Sequence, residues 1–427
     1  MVGAACPLRW IFGLGWGQVT IVSMEMVARA MRGRKLRRLA LSIAVAMLTA
    51  GCTNDDAAAG PEITLEATTT TEPLGTASFG ASVRADPDGP PATTPNGETI
   101  GPVSTRQAGI GDTSIYIGVL GRLGVSEQLV PPLGQPPPNV EGVLPLTGAA
   151  GTVPQRPPAV VKIDNVGPAR PQMGLQKADI VYEEEVEAGF TRLAAVLHSQ
   201  SSYVGPIRSG RTTDIGILAL FQSPLFIYSG ANIATDSLIR SQAYVQNHSY
   251  DTTSGFWRHP DRSSPSDLYS HTSPHWQTGV GTPPRQQFHY RSEDDSVDGL
   301  DVESFRVSYR QNTVDWLWDG AKWNRQQGGS PHVDVDGAQL HAANVLVVET
   351  KRVDTGMVDA TGQRVPEFVF VGSGNVSVFT GGKRIDGTWT RPSLDSVPTF
   401  TTSNGEPILF GVGQTWVEIV GSPGQLR

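Results

Sequence analysis

The segment VGPIRSGR, residues 204–211, places Arg208 and Arg211 three positions apart around Ser209-Gly210. Gly205-Pro206 is a turn signal, and TTDIGILALFQ, residues 212–222, has the apolar spacing of a helix with Thr213 or Asp214 as its cap. Two guanidinium groups and free amides meeting at a helix start would make an anion site, because N–H dipoles and positive charge converge there. Arg170, in a second proline-flanked turn, is expected to join Arg208, Ser209, Gly210 and Arg211 in holding the ligand. Asp164, Asn165, Asp179 and Glu184 carry the catalytic alternative, being residue types that ligate Mg²⁺ or serve as general base. The structural alternative is that Arg208 and Arg211 neutralise Glu183, Glu185 and Glu187, whose like charges along one strand would repel.

Other signals are weaker. His259, His271, His275 and His289 fall within one 31-residue stretch, and HTSPH has helical i,i+4 spacing. Pro274 is expected to prevent that helix, so no metal site is expected there. DVDG, residues 334–337, lacks the third acid and distal glutamate of a calcium loop, and a hairpin turn accounts for it. SEDDSVDGLD offers carboxylates to Ca²⁺ but equally suits a solvated linker. Trp316, Trp318, Trp323, Trp389 and Trp416 fall among predicted hairpins; alternation makes most of them packing residues, whereas an exposed pair would form a glycan platform. Nucleophile-elbow, Walker A, dinucleotide and H-E-x-x-H motifs are absent from the sequence, and no cofactor beyond Mg²⁺ or Ca²⁺ is suggested.

These residues must be positioned by strands. AVVKIDN, residues 159–165, is a β-branched run ending in a turn. ADIVYEEEVEAGFTRLAAVLHS, residues 178–199, reads as a hairpin closed by Ala188-Gly189, with Glu185 opposite Arg192 and Glu184 opposite Leu193. Glu184 would then lie on the mostly apolar face with Ile180, Tyr182 and Leu193, and Arg192 would share the other face with Glu183, Glu185 and Glu187. A strand over 224–231 and a helix over 234–242 follow. Residues 144–291 therefore read as an α/β-type ligand-binding domain with a mixed sheet, and 292–304 as an acidic linker. Residues 305–427 read as a mostly-β domain with hairpin signals at Asp319-Gly320, Asp336-Gly337, Gly381-Gly382 and Asp386-Gly387. The fold class is α+β.

The N-terminal third has a different character. MRGRKLRRLA followed by LSIAVAMLTA is an export signal: a cationic stretch, then an apolar run too short to span a bilayer. LTAGC resembles a bacterial lipobox, with Thr49 where an aliphatic residue is usual, which makes Cys52 the lipid-bearing residue. Residues 1–51 are assigned to an N-terminal extension plus lipoprotein signal peptide. A start at Met26 or Met31 would remove Cys6 and with it disulfides and thiolate chemistry. Seven of 33 Lys+Arg and one of 41 Asp+Glu precede Cys52, so the chain from there onward is near −14, which argues against nucleic acid. Residues 52–143, rich in Thr, Ala, Pro and Gly, are expected to be a disordered tether, with order beginning near Pro157. The LPLTG letters at 144–148 lack the tail a sortase signal requires.

VVKIDN, ARPQMGLQKADIVYEEEVEAGFTRLAAV and VGPIRSGR, then WDGAKWNR, PHVDVDG, GTWTR and GQTWVEIV, together resemble the YerB-like bacterial lipoproteins from about Leu144 to the C-terminus. The resemblance implies a two-domain extracytoplasmic lipoprotein without an established activity. SSPSDLYS, residues 263–270, departs from the APHN-like segment expected there. The arginine and acid combination is also loosely similar to the LytR-CpsA-Psr phosphotransferases, in which arginines hold a polyprenyl pyrophosphate. Two functions follow: a lipid-anchored protein on the extracytoplasmic face of the membrane that binds an anionic wall polymer, polyprenyl phosphate or envelope protein; or an envelope phosphotransferase or hydrolase.

Overall fold

The computed structural model describes residues 134–427, apart from 293, 294 and 360, together with two antiparallel strands at Trp10–Leu14 and Gln18–Val22. The export signal, Cys52 and the tether up to 133 lie outside the described residues. Order begins earlier than expected: Asn139 Oδ1 accepts the Gln286 amide at 2.7 Å, the Gln135 carbonyl lies 2.9 Å from His289 Nε2, and Val143 bridges to Ala150. The last part of the expected tether is thus bonded to the body.

Ala159–Asp164 (β1) is buried along its whole length, as its β-branched sequence requires of a strand covered on both faces. Ile180–Glu185 (β2) and Thr191–Leu197 (β3) form the expected hairpin, but in a different register: Glu185 faces Thr191, Glu184 faces Arg192 and Ile180 faces Val196. The turn holds three residues, Glu187–Gly189, with Ala188 and Gly189 both at positive φ. One extra turn residue slips the pairing by one and exchanges the faces. Arg192 therefore shares a face with Glu184, Tyr182 and Ile180, and Leu193 shares the other with Glu183.

Thr212–Leu218 (α1) is capped by Arg211, two residues before the earlier of the two expected caps, and Asp214 at its third position accepts the Arg211 amide at 2.7 Å. Leu225–Tyr228 (β4) runs parallel to β1. Ile233–Ser241 (α2), capped by the Asn232 side chain, leads to Gln246–Ser249 (β5), parallel to β4. Thr272–Thr278 (α3) forms despite Pro274, since a proline in the first turn removes an amide that has no helical partner. His271 caps this helix rather than ligating beside His275.

The interval 292–304 carries a short strand, Leu300–Asp301 (β6), that joins the sheet edge. Ser304–Ser308 (β7), Thr313–Trp318 (β8) and Trp323–Gln327 (β9) form the antiparallel core of a second sheet, turning at Asp319-Gly320. Asn344–Glu349 (β10), Gly372–Thr380 (β11), Lys383–Arg391 (β12), Thr399–Thr402 (β13) and Thr415–Val420 (β14) complete the central sheet. Its order is β6-β12-β11-β10-β14-β2-β3-β1-β4-β5, with β13 beside β12. The last strand, β14, lies parallel between β10 and β2, so both halves of the sequence share one eleven-stranded sheet. Gly381-Gly382 closes the β11–β12 hairpin, but Asp386-Gly387 lies inside β12, not at a turn. A Cβ on Gly387 would stand 2.2 Å from the Thr401 carbonyl oxygen, so this glycine serves the approach of β13.

Each sheet face buries its own core. Val160, Ile180, Tyr182 and Ala194 pack under Ile215, Ile217, Leu218 and Ile239 of α1 and α2. Val161, Val181, Leu193 and Ala195 pack against Val307, Val314, Trp316 and Trp323 of the second sheet. Trp316, Trp323, Trp389 and Trp416 are fully buried and form no surface platform.

Candidate functional site

The charged residues gather where β1 and β2 end and β3 begins, and strand alternation divides them between the two faces. On the helix side, Lys162 pairs with Glu184 and, at 2.7 Å, with Asp214; all three side chains are fully buried. Burial raises the Glu184 carboxyl to about 7, with Lys162 opposing that rise and Asp214 adding to it. Glu184 and Asp164 lie on either side of Arg192 in one cross-strand row. Arg192 donates to the Ser209 carbonyl at 2.8 Å and has no ion pair among the described residues. Its guanidinium is lowered to about 9, first by burial and then by Arg211 and Arg208.

The 207–211 segment crosses the ends of β1 and β4. Arg208 N–H donates to the Lys162 carbonyl, Gly210 N–H to Gly230, and Arg211 N–H to Asp214, so these three amides of the segment are already occupied. Ser209 Oγ donates to the Ser229 carbonyl at 3.2 Å. Gly210 packs closely under α2 and β4: a Cβ would stand 2.9 Å from Ile239 Cδ1 and 3.0 Å from Phe226 Cε1, so those side chains would have to shift. Arg211 is buried: Nε and Nη2 donate to Glu187 at 2.8 and 2.6 Å, and Nη1 to the Gly210 carbonyl. Arg208 differs. Its Nε lies 3.0 Å from Asp164 Oδ2, a quarter of its side chain is exposed, and Nη1 and Nη2 make no hydrogen bond among the described residues.

Asp164 itself is buried, accepting from the Asn165 amide at 3.0 Å and from Ser266 Oγ at 3.2 Å. On the opposite face, Asn165 donates to Glu183 at 3.0 Å and to Thr191 at 2.8 Å. Glu183 pairs with fully buried Arg325, which also donates to Gln327 and meets His332. Gln172 joins the network through Nε2, which donates to the Asp164 carbonyl and the Asn165 side chain, and through Oε1, which meets His332 Nε2 at 2.7 Å. Burial and the Arg325 charge hold the His332 imidazole well below its usual range. Glu418 on β14 accepts from Tyr309 and Trp316 and is raised to about 8, by burial and then by Glu183.

The expected acids are therefore not gathered into one catalytic group. Asp179 sits at the opposite end of β2, accepting from the amides of His198 and Ser199 and from the Ser199 hydroxyl. Glu184 is enclosed with Lys162. Arg170 does not join Arg208 and Arg211 through any contact; its charged neighbours are Arg325 and Glu183, and its Nε is buried without a partner among the described residues. The expected neutralisation is also redistributed, with Arg211 on Glu187 but Arg325 on Glu183 and Arg352 3.6 Å from Glu185. Sequence reading missed Lys162, Arg325, His332 and Glu418, and placed Arg192 on the opposite face of the hairpin. For Lys162 the signal was present, as a lone cation inside a β-branched run. Among the described residues, no group of three or more His, Cys, Asp or Glu is arranged to hold a metal. A cavity of about 570 Å³ lined by Pro136, Asn139, Arg285 and Asp395 lies away from this network.

Residues 146–282 match the family described as Protein of unknown function (DUF3048), N-terminal domain, and residues 304–417 match its C-terminal domain. YerB of Bacillus subtilis (strain 168), which bears the name of a lipoprotein, is 26% identical over 300 residues, 65% of this chain and 85% of that protein. The crystal structure of YerB from Bacillus subtilis shares the fold, with a TM-score of 0.56 at 23% identity over 67% of this chain and 98% of that one. Both matched segments occur in order and contribute strands to the same central sheet, and the chain belongs to the YerB-like two-domain family.

Proposed function

We propose that this chain is an envelope protein, anchored by a lipid on Cys52 to the extracytoplasmic face of the bacterial cell membrane, that binds an anionic ligand without transforming it. The carrying observation is Arg208, whose Nε lies 3.0 Å from Asp164 Oδ2 while its outer nitrogens make no hydrogen bond among the described residues. A guanidinium held this way presents two parallel N–H donors to a phosphate or carboxylate. The neighbouring groups favour binding over phosphotransfer or hydrolysis. A general base needs access to the reacting proton, whereas Asp164 is buried, accepting two hydrogen bonds with the Arg208 charge beside it, and Glu184 is enclosed by Lys162. The LTAGC sequence and the lipoprotein name of the YerB relative support the anchor. An anionic wall polymer, a polyprenyl phosphate or an acidic face of an envelope protein fits the chemistry; nucleic acid does not suit a chain near −14 from Cys52 onward.

Calorimetric titration of the full chain with inorganic pyrophosphate tests the reading. Arg208→Ala is expected to weaken binding about tenfold or more, as loss of a charge-assisted bidentate contact requires. Absence of binding to the unmodified chain, or equal affinity in the variant, overturns it.

A further inference from the structure

A small three-stranded sheet, Tyr203–Val204, Leu268–His271 and Phe256–Arg258, stands apart from the central sheet. Its register sets His271 opposite Tyr203 and Tyr269 opposite Trp257. Alternation then brings Tyr203, His271, Tyr269 and Trp257 onto one face, with His259 just beyond the strand end. The rings meet in series. Tyr203 lies edge-on to His271 at 4.5 Å and to Trp257 at 5.5 Å; Trp257 stacks on Tyr269 at 6.0 Å, and His259 is 5.4 Å from Tyr269. Tyr203 is 57% exposed, Trp257, His259 and His271 are half-buried, and Tyr269 is fully covered. Gly205 makes room for the ring of Tyr269, which a Cβ would meet at 2.5 Å.

Two further features point to a ligand. The Tyr269 hydroxyl is buried and has no hydrogen-bond partner among the described residues, which a native fold rarely leaves without a reason. Two charged groups neighbour that hydroxyl: Asp267, which is paired with Arg258, and Arg262, which donates to the carbonyls of Pro168, Arg170 and Pro171 but has no carboxylate partner among the described residues. In an acidic chain this uncompensated cation favours a negatively charged guest. The face carries aromatic rings and imidazoles rather than exposed aliphatic side chains. Tilted ring faces receive the C–H faces of pyranoses, while imidazole nitrogens and a phenol between them suit sugar hydroxyls.

We propose that this aromatic face binds an acidic saccharide, with sugar rings packed on Tyr203 and Trp257 and the negative group toward Arg262. The site does not depend on Arg208. Tyr203 and Arg208 are five positions apart, a backbone reach of at most about 18 Å, so a polymeric acidic glycan would span both.

The full chain is titrated by calorimetry with a hexasaccharide of alternating glucuronate and N-acetylglucosamine, and with the neutral N-acetylglucosamine hexamer. The acidic sugar is expected to bind more tightly than the neutral one. Trp257→Ala and Tyr203→Ala are each expected to weaken it about tenfold or more, leaving pyrophosphate affinity unchanged. Tyr203, being largely exposed, keeps the test open should the Trp257 variant fold poorly. No binding of the acidic sugar, equally tight binding of the neutral one, or unaltered affinity in the variants overturns the proposal. The pyrophosphate titration stays separate, because it reads Arg208 alone.

Discussion

Replacing Lys162 by methionine removes the one cation that sits between Glu184 and Asp214 while nearly preserving volume. All three side chains are sealed from solvent, so water cannot replace the lost charge. Breaking a buried ion pair from one side costs about 3–5 kcal/mol, because the remaining charge keeps its desolvation penalty. Spread over the folded part of the chain at about 2.1 cal/mol/K per residue, that is a fall in Tm of roughly 5–8 °C. The loss must also depend on pH. Glu184 is already raised to about 7, so at pH 5 it is protonated in the folded state and strands little charge of its own, leaving Asp214 as the carboxylate that has lost its cation. At pH 8 the unfolded chain ionises it freely, whereas the folded variant must either hold the proton or bury the charge, and the deficit grows. Adding Glu184→Leu should recover much of the loss, since Asp214 retains the Arg211 amide. Denaturant unfolding of wild type, single and double variants at pH 5 and pH 8 measures this. A loss under about 1 kcal/mol, or one equal at both pH values, would refute the assignment of Lys162 as an essential counter-charge.

Glu418, raised to about 8, holds its proton in the folded state at pH values where the unfolded chain releases it. Its contribution to stability is therefore present at low pH and is lost as pH rises through about 8, so Glu418→Gln should flatten the decline in Tm between pH 5 and pH 9; an unchanged slope would contradict the buried position of this acid. Gly387→Ala should detach β13 from β12, because its Cβ would strike the Thr401 carbonyl at 2.2 Å and backbone cannot swing aside. A loss of about 1–3 kcal/mol or more is expected in chemical unfolding, and a neutral substitution would show the approach to be looser than described.

The sequence exposed local rules well and distant pairings poorly. The β1 run, the α1 and α2 helices and the strand-rich second half followed from periodicity and turn residues. The β2–β3 register did not, because Ala188 adopts a left-handed conformation that its residue type does not advertise, and one residue decides which face every side chain takes. Arg325 could be placed on an inward strand position by its alternation with Trp323 and Gln327, yet nothing local names Glu183, 142 residues away, as its partner. The position of β14 was similarly hidden. TWVEIV is buried at every residue, which marks a central strand, but not the neighbours it separates.

These long-range pairings explain why Glu183, Glu184 and Glu185 can follow one another in a buried strand. Alternation sends Glu184 to one face, where Lys162 from the same half meets it, while Glu183 and Glu185 take arginines from the second half of the sequence. Charges that would repel in an isolated hairpin are compensated only after β14 has entered beside β2 and the second sheet has closed over it. The glutamate run thus links the halves, and most cations near it are consumed in doing so. Arg208 is different because Asp164 meets only the root of its guanidinium, which leaves its outer nitrogens as donors without a partner among the described residues.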